Sequence, residues 1–245
     1  MKKIIIEALY GEYNNLYGDR GNLLYLTEQL KAAGCDFELI QTHLYDKPAF
    51  AGQTPVDFLY IGPCTERQQE VELEALRPYR DALAARMEGD TVTLATGNAF
   101  ELFGRAIEKE DGAGLEALGL WDTTARRFSR LRYNELSMGR WGQLEIVGFK
   151  NQLSHSYGTV DTPFLEMELG TGLNPDSRQE GFARGGFFAT YLLGPLLALN
   201  PDFAADLLQK LAPEATFAPP SFARQAYEAR VAEFRRLNGK QPESH

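Results

Sequence analysis

The sequence predicts an α/β protein with a flavodoxin- or Rossmann-like, mostly parallel sheet flanked by helices, and with antiparallel additions in its second half. Three observations support this prediction. Up to about residue 110, strand-like apolar runs alternate with segments of helical periodicity, a pattern typical of βαβ units. Turn residues such as Gly62-Pro63 follow the strand-like runs. Beyond residue 110, short alternating segments are separated by turn residues, as in antiparallel strands.

The elements of the first half are predicted from apolar periodicity. Asn22 is a suitable N-cap for the first helix, and Gly34 is a suitable C-cap residue. The predicted strands cover residues 3–9, 35–39, 56–61 and 91–96, and the predicted helices cover 23–30, 66–76 and a segment from residue 99 onward.

The second half predicts a more irregular arrangement. Strands are predicted at residues 128–136, 143–149, 164–169 and 186–193, a polar loop at 150–158, and helices at 202–211 and 222–237. We therefore expect one domain over residues 1–218, followed by a C-terminal helix and a frayed tail over residues 219–245.

Composition excludes several classes of function. The 245-residue chain carries a net charge of −9 and has a pI near 5.0, which argues against nucleic-acid binding because that function needs a basic surface. Its two cysteines, Cys35 and Cys64, predict neither a disulfide framework nor a metal site. We predict no cofactor and no metal. The sequence shows neither a signal peptide nor an apolar run long enough to span a membrane, so we expect a cytoplasmic protein.

The most informative stretch is TVTLATGNAFELFG, at residues 91–104. Its first half predicts a buried strand, its second half predicts a helix, and Gly97-Asn98 forms the sharp turn between them. In α/β enzymes a nucleophile often occupies such a turn. Here the turn carries no Cys, Ser or Asp at the expected position.

Ligands of open α/β sheets bind beyond the carboxyl ends of the strands. Three predicted loops leave those ends, at residues 10–22, 62–67 and 97–98. The candidate ligand-binding residues in these loops are Asp19, Arg20, Gly62, Arg67 and Asn98. The backbone N–H groups at the start of the helix after Asn98 could hold a small anion. For Asp19 and Arg20, turn and capping roles are an equally good interpretation.

Six ordered segments together resemble a known family. They are LYGDRGNLLYL at 16–26, IGPCTERQQE at 61–70, TGNAFELFG at 96–104, GLEALGLWDT at 114–123, VGFKNQ at 147–152 and TYLLGPLLALNP at 190–201. This set resembles the class I glutamine amidotransferase-like domains of the CobB/CobQ type. It is most similar to the branch that pairs with a Mur-ligase-like subunit to amidate lipid II.

The resemblance implies that the catalytic dyad has been replaced. Family members hydrolyse glutamine through a cysteine thiolate on the turn, activated by a histidine. The resemblance places the nucleophile at Gly97 and the base at Leu193, and neither residue can perform that chemistry. Glu101 corresponds to the family's glutamine after the turn. In the later loop Asn151 is retained, whereas Gln152 replaces a histidine.

We therefore predict a catalytically degenerate subunit that binds a Mur-ligase-like partner, with glutamine or another small carboxylate as a possible ligand. Two alternatives stay open. One is an active hydrolase in which Cys64 is a displaced nucleophile and His155 its base, because Cys64 lies in a strand-end loop. The other is a binder of small anions at the helix start near Asn98.

A basic cluster stands out in this acidic chain. It consists of Arg126, Arg127, Arg130 and Arg132. The cluster could receive an acidic partner, or it could protect a strand edge from pairing with another chain.

Overall fold

The computed structural model describes residues 2–89, 91–128 and 132–239, so Arg130 and the tail from residue 240 lie outside the described residues. The strands are β1 (Ile4–Leu9), β2 (Phe37–Thr42), β3 (Phe58–Ile61), β4 (Val92–Thr96), β5 (Ala106–Glu108), β6 (Gly114–Glu116), β7 (Asp122–Arg127), β8 (Tyr133–Trp141), β9 (Leu144–Gln152), β10 (Ser154–Thr159), β11 (Leu165–Leu169), β12 (Gln179–Glu180), β13 (Phe182–Arg184) and β14 (Phe187–Thr190). The helices are α1 (Gly21–Ala32), α2 (Glu66–Leu76), α3 (Arg80–Met87), α4 (Leu196–Leu199), α5 (Pro201–Leu211) and α6 (Ser221–Asn238).

The central sheet has the strand order β13-β14-β4-β3-β1-β2. The pairs from β2 across to β14 are parallel, and β13 adds an antiparallel edge. Strands β3 and β4 are buried along their whole length, as expected for a parallel sheet covered on both faces. The predicted mostly parallel sheet is confirmed.

The second half forms two further sheets, ordered β10-β7-β5-β6 and β12-β11-β8-β9. Most of their pairings are antiparallel, which confirms the predicted additions. The single strand predicted over residues 128–136 was wrong: β7 ends at Arg127, β8 begins at Tyr133, and residues 129–131 lie outside the described residues.

The polar loop predicted at residues 150–158 is also wrong. This stretch contains the end of β9 and the whole of β10, which pairs antiparallel with β7. Ser154, His155 and Ser156 are buried there despite their polarity. The prediction failed because a polar strand that hydrogen-bonds inside the protein lacks the apolar alternation by which strands are recognised.

An aromatic cluster fixes the segment after the turn at Gly97. Phe100 and Phe103 lie 5.0 and 5.2 Å from the Trp121 ring, centroid to centroid. Trp121 in turn stacks on Phe182 at 4.7 Å. Such aromatic pairs favour defined geometries and bury large areas. The segment is a 3₁₀ helix over Gly97–Phe103, not the longer helix predicted, because β5 begins at Ala106.

The C-terminal helix α6 packs on the sheet that contains β8, β9 and β11. Val231 and Phe234 contact apolar side chains of these strands. Tyr227 donates a hydrogen bond of 2.7 Å to the carbonyl oxygen of Glu145, and Arg235 pairs with the Glu145 carboxylate. None of the described helices is both long and apolar enough for a membrane span.

Helix α6 offers a matched test of this packing. Phe234→Ala should lower the free energy of unfolding by about 3–5 kcal/mol, because it leaves a cavity in a buried cluster. Phe222 lies on the same helix but is 72% exposed, so Phe222→Ala should cost less than about 0.5 kcal/mol. Urea denaturation measures both changes. Equal losses would contradict the docking of α6 through Phe234.

Candidate functional site

The turn after β4 has the backbone geometry of a nucleophile elbow. Gly97 has φ +61°, in the left-handed region that favours glycine. The strand before it is fully buried, and the segment after it is anchored by the aromatic cluster. The elbow therefore stands at the carboxyl edge of the parallel sheet, where α/β proteins bind ligands.

The position that a Cβ atom of residue 97 would take is already filled. A Cβ atom added to Gly97 would lie 2.7 Å from the Cβ of Pro63 and 3.0 Å from the Cδ2 of Leu193. The first distance is far below the van der Waals contact distance of two carbon atoms. Pro63 and Leu193 thus occupy the volume that a reacting side chain at position 97 would need.

The side chain of Asn98 ties the elbow to the loop after β3. Its Oδ1 accepts a hydrogen bond of 3.1 Å from the Cys64 backbone N–H, and its Nδ2 donates one of 2.9 Å to the Cys64 carbonyl oxygen. The Cys64 N–H is therefore already paired. This arrangement weakens the idea of an anion site near Asn98, since the helix that follows is only a seven-residue 3₁₀ segment.

Glu101 lies beneath the elbow in a buried network. Its carboxylate accepts hydrogen bonds from Gln69 Nε2 at 3.0 Å, from the Tyr191 hydroxyl at 3.1 Å and from the Ser154 hydroxyl. Burial raises the pKa of Glu101. Gln69 also donates to the carbonyl oxygen of Asn98 at 2.6 Å, so the network supports the elbow from below.

Asp19 lies behind the elbow. Its carboxylate accepts hydrogen bonds from the Tyr60 hydroxyl on β3 and from the Thr96 hydroxyl on β4. Burial raises the pKa of Asp19 to about 6, although these hydrogen bonds lower it. Its neighbour Arg20 is exposed. The first loop is thus fixed to the sheet through Asp19.

A cavity of about 280 Å³ opens in front of the elbow. The sequence-predicted site residues that line it are Cys64, Gly97, Asn98, Asn151, Gln152 and Leu193. The predicted residues absent from its lining are Asp19, Arg20, Gly62, Arg67, Glu101 and His155. Of this second set, Gly62 is buried where a Cβ would lie 2.6 Å from the Asn14 carbonyl oxygen, and Arg67 is exposed.

Three side chains from separate parts of the chain meet at the cavity. The Tyr17 hydroxyl donates to Asn151 Oδ1 at 2.8 Å, and Arg132 Nη1 donates to the same oxygen at 2.7 Å and to the Tyr17 hydroxyl. Tyr17 has φ +61°, which is unusual for a bulky residue. Sequence reasoning missed Tyr17 and placed Arg132 only in the basic cluster; a tyrosine in a strand-end loop was the available signal.

Gln152 presents an unpaired acceptor at the cavity. Its Nε2 donates to the Ser154 carbonyl oxygen and lies 3.3 Å from Nδ1 of His155. Its Oε1 is buried and has no hydrogen-bond partner within the described residues. A buried acceptor without a partner costs free energy.

The Cys64 environment is unfavourable for a thiolate. Burial and nearby carboxylates, above all Glu72, raise the pKa of the Cys64 thiol. Reactive cysteines need the opposite, an electropositive and partly exposed setting. His155 packs against the rings of Phe128 and Tyr133, and burial lowers its pKa.

Glu72 on α2 is the main acid beside Cys64. Burial raises the pKa of Glu72 to about 8, so the carboxyl group holds its proton at neutral pH. Asn14 Nδ2 donates to its Oε2 at 3.2 Å. Glu72 Oε1 and Asn14 Oδ1 are both buried without a hydrogen-bond partner within the described residues.

Comparisons with known proteins point in one direction. No family model matches the chain. The GatD subunit of the glutamine-hydrolysing lipid II isoglutaminyl synthase of Staphylococcus aureus is 26% identical over 215 residues, which cover 86% of this chain and 85% of the relative. The GatD subunit of Streptococcus pneumoniae is 24% identical over 213 residues, covering 83% and 78%.

Two solved structures share the fold. A glutamine amidotransferase has a TM-score of 0.52 at 15% identity, covering 82% of this chain and 98% of its own. A glutamine amidotransferase from Thermotoga maritima has a TM-score of 0.51 at 10% identity, covering 98% and 95%.

The fold is therefore that of these glutamine amidotransferase structures. Within this class, the curated homologues of the chain are GatD subunits of lipid II isoglutaminyl synthase. The resemblance to glutamine amidotransferases and the closer resemblance to the lipid II branch are both confirmed. The assignment of Gly97 and Leu193 to the nucleophile and base positions stays a prediction.

The filled elbow can be tested against a glycine of equal backbone conformation. Gly97→Ala should lower the free energy of unfolding by about 2–5 kcal/mol, combining left-handed strain of about 1–2 kcal/mol with overpacking of about 1–3 kcal/mol. Gly142 has φ +59° and no atom within 4 Å of an added Cβ, so Gly142→Ala should cost only the strain. Chemical denaturation of both variants makes the comparison. Equal losses would show that Pro63 and Leu193 do not fill the elbow.

Glu72 predicts a pH-dependent stability. Its folded pKa lies above that of the unfolded chain, so its proton stabilises the fold at low pH, and this contribution is lost as pH rises from about 4.5 to about 8. Glu72→Gln removes this pH-dependent loss. The gain in free energy of unfolding over the parent protein should therefore be larger at pH 8 than at pH 5 by roughly 2–4 kcal/mol, at about 1.4 kcal/mol per pKa unit.

Glu74→Gln is the matched control, because Glu74 is an exposed acid on the same helix. Urea unfolding of both variants and the parent protein at pH 5 and pH 8 gives the comparison. A Glu72→Gln gain that does not depend on pH would contradict a protonated Glu72.

Proposed function

We propose that the protein is a catalytically degenerate, glutamine amidotransferase-like subunit that works by binding a Mur-ligase-like partner in lipid II amidation. One observation carries the first half of this proposal. The side-chain position at the elbow is glycine, and Pro63 and Leu193 fill the space in front of it. A thiol nucleophile and a histidine base both need that space.

The partner follows from the relatives. Both GatD relatives are named as subunits of a synthase, so they work within an assembly. A subunit that no longer releases ammonia can still stabilise its partner or position a substrate for it. The retained parallel sheet, elbow geometry and docked C-terminal helix keep a folded surface for such a role.

A second candidate function is supported by the cavity itself. Gln152 Oε1 offers an unpaired acceptor, and Arg132 offers a guanidinium group near Asn151. Glutamine or another small carboxylate carries both a donor and an anionic group. The cavity would then bind such a ligand without hydrolysing it.

The relocated-nucleophile alternative has less support. Cys64 lines the cavity, but its pKa is raised and its nearest acid is Glu72. A thiolate at this position would be placed among buried carboxyl groups, which disfavour added negative charge.

A glutaminase assay separates these functions. The purified chain, alone and with the Mur-ligase-like subunit, should release no glutamate from glutamine above the level of the partner alone. Co-purification of the two subunits is expected. Absence of a complex would remove the binding half of the proposal.

Cys64→Ala provides the control for the alternative. Glutamate release that disappears in Cys64→Ala, together with labelling of Cys64 by a glutamine-like electrophile, would favour the relocated nucleophile. Release that persists in Cys64→Ala would also overturn the degenerate assignment, and it would point to chemistry elsewhere in the cavity.

A further inference from the structure

We propose that a second cleft, lined by Arg77, Arg80 and Arg105, binds a small phosphate-type oxyanion. The cleft has a volume of about 440 Å³ and shares no lining residue with the cavity at the elbow. The inference does not depend on what the elbow does.

The chain itself holds two of the three guanidinium groups in place. Arg80 Nε donates to the Leu118 carbonyl oxygen at 2.8 Å, and its Nη2 donates to the Gly119 carbonyl oxygen at 3.3 Å. Arg77 Nη2 donates to the carbonyl oxygen of Glu116. These bonds join the α2–α3 junction to the segment after β6. Groups fixed before a ligand arrives lose less side-chain entropy on binding it.

The lining of the cleft is rich in arginine. Three arginines and one glutamate, Glu116, line the cleft, whereas the protein carries a net charge of −9. A concave, positively charged surface attracts anions and raises their local concentration.

Each of these arginines has an acidic partner outside the lining of the cleft. Arg77 pairs with Glu74, Arg80 with Asp81 and Arg105 with Asp122. The side chains of these acids are exposed, by 64%, 95% and 64% respectively. Exposed ion pairs contribute little free energy, typically about 0–1 kcal/mol, so an incoming anion can replace them.

The remaining lining defines the class of ligand. It consists of Ala117, Leu118 and Gly119, with no aromatic side chain among the lining residues described. A nucleobase would therefore have no ring to stack on. Arginine forks match the paired oxygens of phosphate groups, so inorganic phosphate or diphosphate is the simplest fitting ligand.

Calorimetric titration of the full chain with inorganic diphosphate, at low ionic strength, tests the proposal. Arg105→Ala is the first variant, because Arg105 is exposed and its described side-chain bond is to Asp122 alone. It should weaken diphosphate binding at least about tenfold, and Arg105→Lys should recover only part of the loss. Circular dichroism verifies that each variant is folded.

Arg140→Ala is the matched control. Arg140 is 48% exposed, pairs with Glu168 and Glu145, and lies on β8 outside the cleft. It should leave diphosphate affinity unchanged. No binding by the parent protein would overturn the proposal, and so would an equal loss in Arg140→Ala, since that marks a general counterion effect.

Vesicles that contain phosphatidic acid distinguish the source of the phosphate. Vesicle binding that requires Arg105 supports the cleft and assigns a lipid headgroup as its ligand. Diphosphate binding without vesicle binding supports the cleft and assigns a free phosphate compound. None of these measurements involves the elbow. A negative result would therefore not affect the proposed role of the protein as a subunit.

Discussion

The elbow depends on a buried carboxylate behind it. Asp19 accepts hydrogen bonds from Tyr60 and Thr96, and so it joins the first loop to β3 and β4 at the carboxyl edge of the sheet. Thr96 directly precedes Gly97, so this contact sets where the turn begins. A buried carboxyl group is costly unless it is hydrogen-bonded, and here the hydrogen bonds fall on Oδ2, whereas Oδ1 is buried without a partner within the described residues.

Neighbouring side chains occupy the position that a side chain at residue 97 would take. Removing a side chain at position 97 alone would leave a void, and voids in packed interiors are destabilising. Pro63 and Leu193, from two distant parts of the chain, fill that volume instead. Asn98 then ties the Pro63-Cys64 loop down through its backbone. The elbow is therefore tightly packed against two distant parts of the chain.

The sequence predicted the parallel sheet because the buried strands of βαβ units are continuous apolar runs, which are visible in the sequence. It predicted the elbow because the turn follows such a run. It failed at β10, where buried polar residues look like a loop, and it missed Tyr17. The sequence also predicted that Asn98 binds a ligand, because Asn98 lies in a strand-end loop. In the structure its side chain instead hydrogen-bonds to the backbone of Cys64, a contact between distant parts of the chain that the sequence does not reveal.

The acids around the elbow would oppose a thiolate placed at position 97. Burial raises the pKa values of Asp19, Glu72 and Glu101, which lie behind, beside and beneath the turn. A thiolate at position 97 would add negative charge to this desolvated surrounding, which would raise its own pKa and lower its population at neutral pH. A reactive thiol at position 97 would therefore require space at Pro63 and compensating positive charge, besides a base.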